Sequence, residues 1–327
     1  MTTLVTGGNG WVPSHVLRRL AARGESVVSF DLSEPDALLL DFLGPYADRV
    51  SFEQGDIVDR ARLDEICQRH QVDAIIHAAV ITPRVDREQR EPERIIDVNL
   101  MGTVNVLEVA RRLPGLRRLV YVSSGAVWGD QATGVDVLDE ESPANALSLY
   151  GITKLASERL TLRYGMLFEL DVAAVRPANV YGPMERVTPG YHGATELREM
   201  LRLWAAGEEV RVNSDAGPWL DWTYVEDIAE GIELVWSAPE LPHRVYSVTS
   251  GTLYSIGDVL RQFARHLSGL RWRVVDASEA NFLVSGDAPG PVPSNRRIRE
   301  DFGWTPPTTF DDGMAAYLAW IRENGPQ

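Results

Sequence analysis

One cysteine, one lysine and no long apolar run set the first limits on this 327-residue chain. Cys67 stands alone, so no internal disulfide can form, and a reducing compartment is expected. The longest apolar stretch, Ala74–Ile81, falls far short of the ~18–20 residues that a membrane-spanning helix needs, and it contains His77. The opening Met1-Thr2-Thr3-Leu4-Val5-Thr6-Gly7 has neither a basic segment nor a long apolar one. No secretion signal is read there, and a cytoplasmic location is expected. Basic side chains are also in deficit, 32 against 47 acidic ones, for a net charge of −15. That field repels nucleic acids and anionic membranes, which leaves a small molecule as the expected partner. No metal site is expected.

What is present is ordinary for a globular enzyme with a sizeable core: 44% hydrophobic and 24% charged residues. Short β-branched runs alternate with helical patterns through the first half, the signature of βαβ units and a parallel sheet. Strands are predicted at Leu4–Thr6, Val27–Asp31, Val50–Glu53, Ala74–His77, Leu119–Ser123 and Val172–Arg176. Helices are predicted from Trp11 to Arg23, Asp59 to His70, Pro92 to Leu113 and Leu147 to Tyr164. From Pro177 the loops lengthen and helices scatter, the clearest being Tyr224–Trp236, Gly257–Leu267 and Phe310–Glu323. The expected fold is α/β: a Rossmann-type doubly wound sheet over residues 1–176, with a smaller substrate lobe over 177–327 whose chain crosses back to the core.

Thr6-Gly7-Gly8-Asn9-Gly10-Trp11-Val12-Pro13 lies between a strand and a helix. Glycines there let the backbone approach a pyrophosphate, whose charge meets the helix N-terminus. Asp31 closes the next strand, where a carboxylate can bond ribose hydroxyls and repel a 2′-phosphate. That combination favours NAD over NADP. Tyr150 and Lys154 are four residues apart at a predicted helix start, so phenol and ammonium share a face. A neighbouring ammonium lowers a phenol's pKa and makes it a general base for an alcohol proton. The lysine is the chain's only one beside 31 arginines, and chance seldom puts it at that spacing from a tyrosine. Ser123-Ser124-Gly125 ends a strand, where a hydroxyl can orient a substrate oxygen.

These segments resemble the extended short-chain dehydrogenases/reductases, the NAD-dependent epimerase/dehydratase group. Further matches are Gly55-Asp56-Ile57, His77-Ala78-Ala79, Asp97 to Thr103, Arg176 to Pro183, Tyr224 to Ala229 and Phe302 to Pro306. The resemblance implies a catalytic set of Ser124, Tyr150 and Lys154. In that set Tyr150 takes the substrate proton, Ser124 holds the hydroxyl, and Lys154 lowers the Tyr150 pKa while bonding the nicotinamide ribose. It implies that NAD is held by Gly7, Gly10, Trp11, Val12, Asp31, Asp56, Ile57, Ala78, Ala79 and Asn99 together with Tyr150 and Lys154. Thr82, Arg84, Ser124, Asn179 and Arg186 would face the substrate, and a homodimer would form on the helices of 92–113 and 147–164.

Departures narrow the activity. Pro13 replaces the third glycine of the turn. Leu220 stands where nucleotide-sugar enzymes of the family carry a diphosphate-gripping arginine; Arg186, Arg198 and Arg296 are the candidates to compensate. Gly125-Ala126 replaces the acid pair of the family's dehydratases, which argues against dehydration. The leading expectation is an NAD-dependent oxidoreductase acting on a hydroxyl of a sugar, sugar acid or polyol. The alternative is a nucleotide-sugar epimerase of the UDP-sugar 4-epimerase type. A non-catalytic NAD-binding regulator comes third, and the intact Ser124, Tyr150 and Lys154 argue against it.

Overall fold

The computed structural model describes residues 2–129, 135–191, 195–285 and 288–326. Seven strands build the central sheet: β1 (Thr2–Thr6), β2 (Ser26–Asp31), β3 (Val50–Gln54), β4 (Ala74–His77), β5 (Arg118–Val122), β6 (Val172–Pro177) and β7 (Val245–Val248). All pairings are parallel, in the order β7-β6-β5-β4-β1-β2-β3. Helices cover both faces, so the inner strands read as nearly unbroken apolar runs rather than alternating ones, as in Ala74-Ile75-Ile76. This is the Rossmann-type α/β arrangement that the sequence predicts. The strand order reverses between β1 and β4, and a crevice opens beyond their carboxyl ends.

The later chain returns to this sheet. Beyond 177 it supplies β7 and the helix Val225–Ser237, which packs on the first helix, Trp11–Ala22. Arg19 and Arg23 both reach Glu233 there, at 2.5 and 2.6 Å. A separate apolar cluster, including Leu197, Met200, Phe263, Met314 and Leu318, forms the core of the remaining carboxyl-terminal segments.

Two helices differ from expectation. The stretch predicted as one helix over 92–113 is helical at Pro92–Ile96 and Gly102–Ala110, with a π-turn, Asp97–Met101, between them. In such a turn a carbonyl pairs five residues on, as that of Asp97 does with Gly102 N–H. That of Asn99 accepts from the hydroxyls of Thr103 (2.7 Å) and Ser157 (2.8 Å). The helix predicted over 147–164 runs Leu149–Phe168. Its start is fixed by Ser148, whose hydroxyl accepts from Gly151 N–H at 3.1 Å.

Beneath the crevice lies a fully buried ion pair. Arg176 on β6 grips Glu158 on the 149–168 helix with Nη2 and Nε at 2.7 and 2.9 Å, and Ser123 donates to the same carboxylate at 2.8 Å. Taking one charge away leaves the other desolvated and unpaired. Glu158→Gln is therefore expected to lower stability by about 3–5 kcal/mol, read as a fall in the urea midpoint at unchanged m-value; a loss below about 1 kcal/mol would show that the pair is not sealed from water.

Candidate active site

The turn after β1 is shaped by backbone contacts. Gly7 has φ +68°, and a Cβ there would sit 2.7 Å from the Ala79 Cα, so only glycine fits. Its N–H donates to the Phe30 carbonyl (2.8 Å), and its own carbonyl accepts from Gly10 N–H (2.9 Å). Gly10 is the N-cap of the Trp11–Ala22 helix and offers no side-chain cap. The N–H groups of Trp11 and Val12 thus lack intrahelical acceptors and form an anion-binding end. Pro13 sits at the third helical position, where a missing N–H breaks no intrahelical bond, so the helix begins undisturbed.

Asp31, at the end of β2, faces the same crevice. It accepts from Asn9 N–H (3.1 Å), Ser33 N–H (3.1 Å) and the Ser33 hydroxyl (3.2 Å). Burial nevertheless holds its carboxyl above the usual carboxylate range. Asn9 is itself pinned by Ser29 (2.8 Å) and by the Ser33 carbonyl (2.7 Å). The close-packed glycine turn, the uncapped helix end and this carboxylate are the donor and acceptor set a dinucleotide needs, and NAD fits it.

Between the glycine turn and the 149–168 helix runs a buried polar chain whose proton positions follow by elimination. The Thr103 hydroxyl donates to the Asn99 carbonyl, so it accepts from His77 Nε2–H at 3.0 Å. His77 Nδ1 is then the acceptor for the Thr6 hydroxyl at 2.7 Å. Thr6 in turn accepts from the N–H groups of Ala78 and Ala79, both at 3.2 Å. Burial, aided by the charge of Lys154, pushes the imidazole down to about 3, which keeps it neutral and fixes that tautomer. Asn99 completes the chain. Its amide accepts from Ile81 N–H (2.7 Å) and donates to the Ile81 carbonyl (2.9 Å) and the Thr153 hydroxyl (3.1 Å).

Tyr150 and Lys154 line the crevice from the first turns of the 149–168 helix. The hydroxyls of Ser124 and Thr82 lie beside the Tyr150 phenol and favour its ionised form. Ser124 Oγ accepts from Ala126 N–H at 3.1 Å, which leaves its hydrogen to point at that phenol. Lys154 donates to the Val122 carbonyl at 2.6 Å, and burial draws its ammonium down to about 7. Here the structure differs from the sequence expectation of a lowered tyrosine pKa. Burial raises the Tyr150 phenol, and only the Ser124 and Thr82 hydroxyls pull against it.

The crevice has a volume of about 420 Å³ and runs from Asp31 to Tyr150. Gly7, Gly10, Trp11, Val12, Asp56, Ile57, Ala78, Ala79, Thr82, Ser124 and Asn179 all line it. Three expected residues do not. Asn99 lies behind the wall as a brace. Arg84 is half exposed and pairs with Glu199. Arg186 is buried against the glycine turn, with Nη2 on the Asn9 carbonyl (2.6 Å) and Nε on Asp36 (2.9 Å). The other arginines weighed against Leu220 are elsewhere too: Arg198 is fully buried, and Arg296 faces Asp139 at 3.7 Å. Leu220 pairs with Tyr254 in a short antiparallel bridge. Lining residues that sequence reasoning missed include Asn9, Tyr191, Thr195, Glu196 and Trp222. Asn9 sits inside the glycine turn and Trp222 two residues after Leu220, in segments read for other residues, whereas Tyr191, Thr195 and Glu196 belong to no motif.

The sequence matches the family model described as NAD dependent epimerase/dehydratase family over residues 3–249. The UDP-glucose 4-epimerase of Mycolicibacterium smegmatis is 30% identical, with 98% of this chain and 99% of that protein covered. The dTDP-glucose 4,6-dehydratase of Neisseria meningitidis serogroup B is 29% identical, covering 98% and 93%. Among solved structures, a UDP-glucose 4-epimerase from Stenotrophomonas maltophila with bound NAD and formylated UDP-arabinopyranose has a TM-score of 0.83 at 25% identity, covering 99% and 98%.

The neutral His77 carries a pH signature. Its folded-state pKa lies below the unfolded value of about 6.5, so its contribution is complete above that pH and is lost as pH falls toward about 3. His77→Gln cannot titrate. The stability gap between wild type and variant, measured by denaturant unfolding, is expected to be largest at neutral pH and to narrow steadily in acid; a gap constant across that range would mean the ring is not held neutral.

Proposed function

The chain belongs to the NAD-dependent epimerase/dehydratase family and is an NAD-dependent enzyme, and from that premise we propose that it oxidises a hydroxyl of a sugar, sugar acid or polyol. The observation that carries the reading is the meeting of the Ser124, Thr82 and Tyr150 hydroxyls above Lys154, in the same crevice as the glycine turn and Asp31. Bound NAD supplies a hydride acceptor there. Gly7, Gly10, Trp11, Val12 and Asp31 would hold it, with Asp56 and Ile57 flanking its adenosine end and Ala78 and Ala79 along its middle. Ser124 orients the substrate hydroxyl. Tyr150, ionised beforehand, takes the hydroxyl proton at Oη as the carbon is oxidised, and Lys154 supports the phenolate that this transfer starts from. Because burial raises the phenol, proton removal depends on that nearby cation and on the two hydroxyls.

A nucleotide-free substrate is favoured by the fate of the arginines. Two phosphates need fixed donors to replace their water, and burying them without such donors costs several kcal/mol. Leucine fills position 220, while Arg84, Arg186, Arg198 and Arg296 are off the crevice wall. Arg94 lines it but pairs with Asp56 at 2.5 Å, which among the described residues leaves Arg87 on the substrate side, bonded to the Pro189 carbonyl at 3.1 Å and paired with Glu91 at 3.2 Å. One arginine suits one carboxylate. The second reading, a nucleotide-sugar epimerase that keeps its cofactor bound, is supported by the likeness to the two 4-epimerases.

We also infer a homodimer and a cytoplasmic location. Ile96, Met101, Leu147 and Ile152 are exposed on the 92–110 and 149–168 helices and the loop before the latter, more apolar surface than a solvated face needs. Buried, unpaired Cys67 suits a reducing compartment, and among the described residues no helix is long and apolar enough to cross a membrane.

Three measurements test these statements. Tyr150→Phe is expected to lose turnover by at least a thousandfold, within the range of general-base catalysis combined with lost substrate orientation, while NAD affinity by calorimetry changes little. The wild type is expected to release NADH over many turnovers with a simple or acidic sugar and to show no micromolar UDP binding. Epimerisation of a UDP-sugar without net NADH would replace this reading with the second one. Light scattering at micromolar concentration is expected to give twice the 36.3 kDa chain mass, with Ile152→Arg shifting it toward one.

A further inference from the structure

Among the described residues Lys154 is a buried cation without a carboxylate partner. Among the described residues the candidate within reach of its helix face is Glu158, one turn along, and that carboxylate is fully occupied by Arg176 and Ser123. Isolated burial of an ammonium is costly unless something replaces its water. The Val122 carbonyl replaces part of it, at 2.6 Å. Two aromatic faces remain: the Tyr121 ring centroid lies 5.1 Å from Nζ and that of Tyr150 5.8 Å. The nearer ring belongs to Tyr121, which touches no part of the crevice and has no place in the proposed chemistry.

We propose that Tyr121 is a positioning residue for the reaction: its ring face is the second seat of the Lys154 ammonium and keeps that cation charged beneath Tyr150. The attraction is electrostatic, between ammonium and ring quadrupole, and is strengthened by the exclusion of water. The ring is well placed to hold a fixed orientation. It is buried on β5, stands 5.6 Å from the His77 ring, and its hydroxyl lies beside Ser157, whose own hydrogen goes to the Asn99 carbonyl. Burial keeps its phenol neutral, so it presents a ring and not a charge.

The groups facing Lys154 can be named element by element. β4 brings His77, which is neutral, and β5 brings Tyr121. The helix itself brings Tyr150 and Glu158, and β6 brings Arg176, paired with Glu158. Asp97 of the π-turn is exposed to solvent. Apart from Tyr150, which reacts, only Tyr121 offers a π-face to the ammonium.

The chain's single lysine makes the test direct. Protein labelled with ¹³Cε-lysine gives one side-chain resonance, and its shift titrates Lys154 without any need for turnover. Tyr121→Phe keeps the ring and is expected to titrate with the wild type. Tyr121→Leu removes it and is expected to lower the midpoint by about one pH unit or more. Phenylalanines with one, two and three ring fluorines at position 121, nearly unchanged in shape but with a progressively weaker ring face, are expected to lower it stepwise. The corresponding limb of the kcat/KM pH profile should move with the resonance. Coincident titration of the wild type, the fluorinated series and Tyr121→Leu would overturn the proposal, as would a Tyr121→Phe shift equal to that of Tyr121→Leu. If Tyr121→Leu does not fold, the fluorinated series decides alone. The proposal rests on Tyr150 and Lys154 as the reacting pair, yet the two fail separately: a Tyr150→Phe enzyme with full turnover removes the catalytic reading, whatever the resonance does.

Discussion

A helical carbonyl ordinarily accepts from the N–H four residues on. Within the π-turn at Asp97–Met101, that of Asn99 also gathers the hydroxyls of Thr103 and Ser157. From this one acceptor the floor of the crevice is ordered in two directions. Through Thr103 and His77 it reaches Thr6 and the backbone under the glycine turn. Through Ser157, and through the Asn99 amide on Thr153, it reaches the helix that carries Tyr150 and Lys154. Each hydroxyl in the chain has its single hydrogen assigned, so the network has one consistent proton arrangement. A neutral imidazole at its centre is the condition for that, and burial provides it.

Much of the fold was legible because its signals are local. Strand–helix alternation, the glycines before the first helix, Asp31 at a strand end and the four-residue spacing of Tyr150 and Lys154 are all visible in short windows. The π-turn was not, because adding one residue to a turn hardly changes apolar spacing over 92–113. The arginines were not legible either, since their partners are distant in sequence. Arg84 finds Glu199 across 115 positions and Arg186 finds Asn9 across 177, and nothing near either residue announces the choice. The Tyr150 pKa shows a third limit. Spacing reveals a neighbouring ammonium, but burial, which here raises the phenol, is a property of the assembled fold.

Polar groups under the crevice are handled in two ways. Glu158 and Arg176 are matched charge for charge, a geometry that loses heavily when one partner is removed. Among the described residues Lys154 is instead left without an anion, and burial draws its ammonium down to about 7, near the point of proton loss at neutral pH. A carboxylate beside it would make the cation permanent and would add negative charge next to the phenol that must ionise. The neighbouring arginine thus serves the lysine indirectly, by keeping Glu158 engaged.

The glycine turn is made within the first ten residues, yet its outer wall is supplied much later in the chain. The carbonyl of Pro183 accepts from Trp11 Nε1 at 2.7 Å, and Arg186 holds the Asn9 carbonyl, contacts that span 172 and 177 positions. Glu226 and Glu233, which hold the first helix at His15, Arg19 and Arg23, come later still. During synthesis the ribosome therefore exposes a half-built nucleotide cradle for most of the translation time, and its completion waits for the segment that also closes the substrate side. At the usual ~5–20 residues per second, that interval is on the order of ten seconds or more, in which the nascent chain must be kept from aggregating before any cofactor can hold it together.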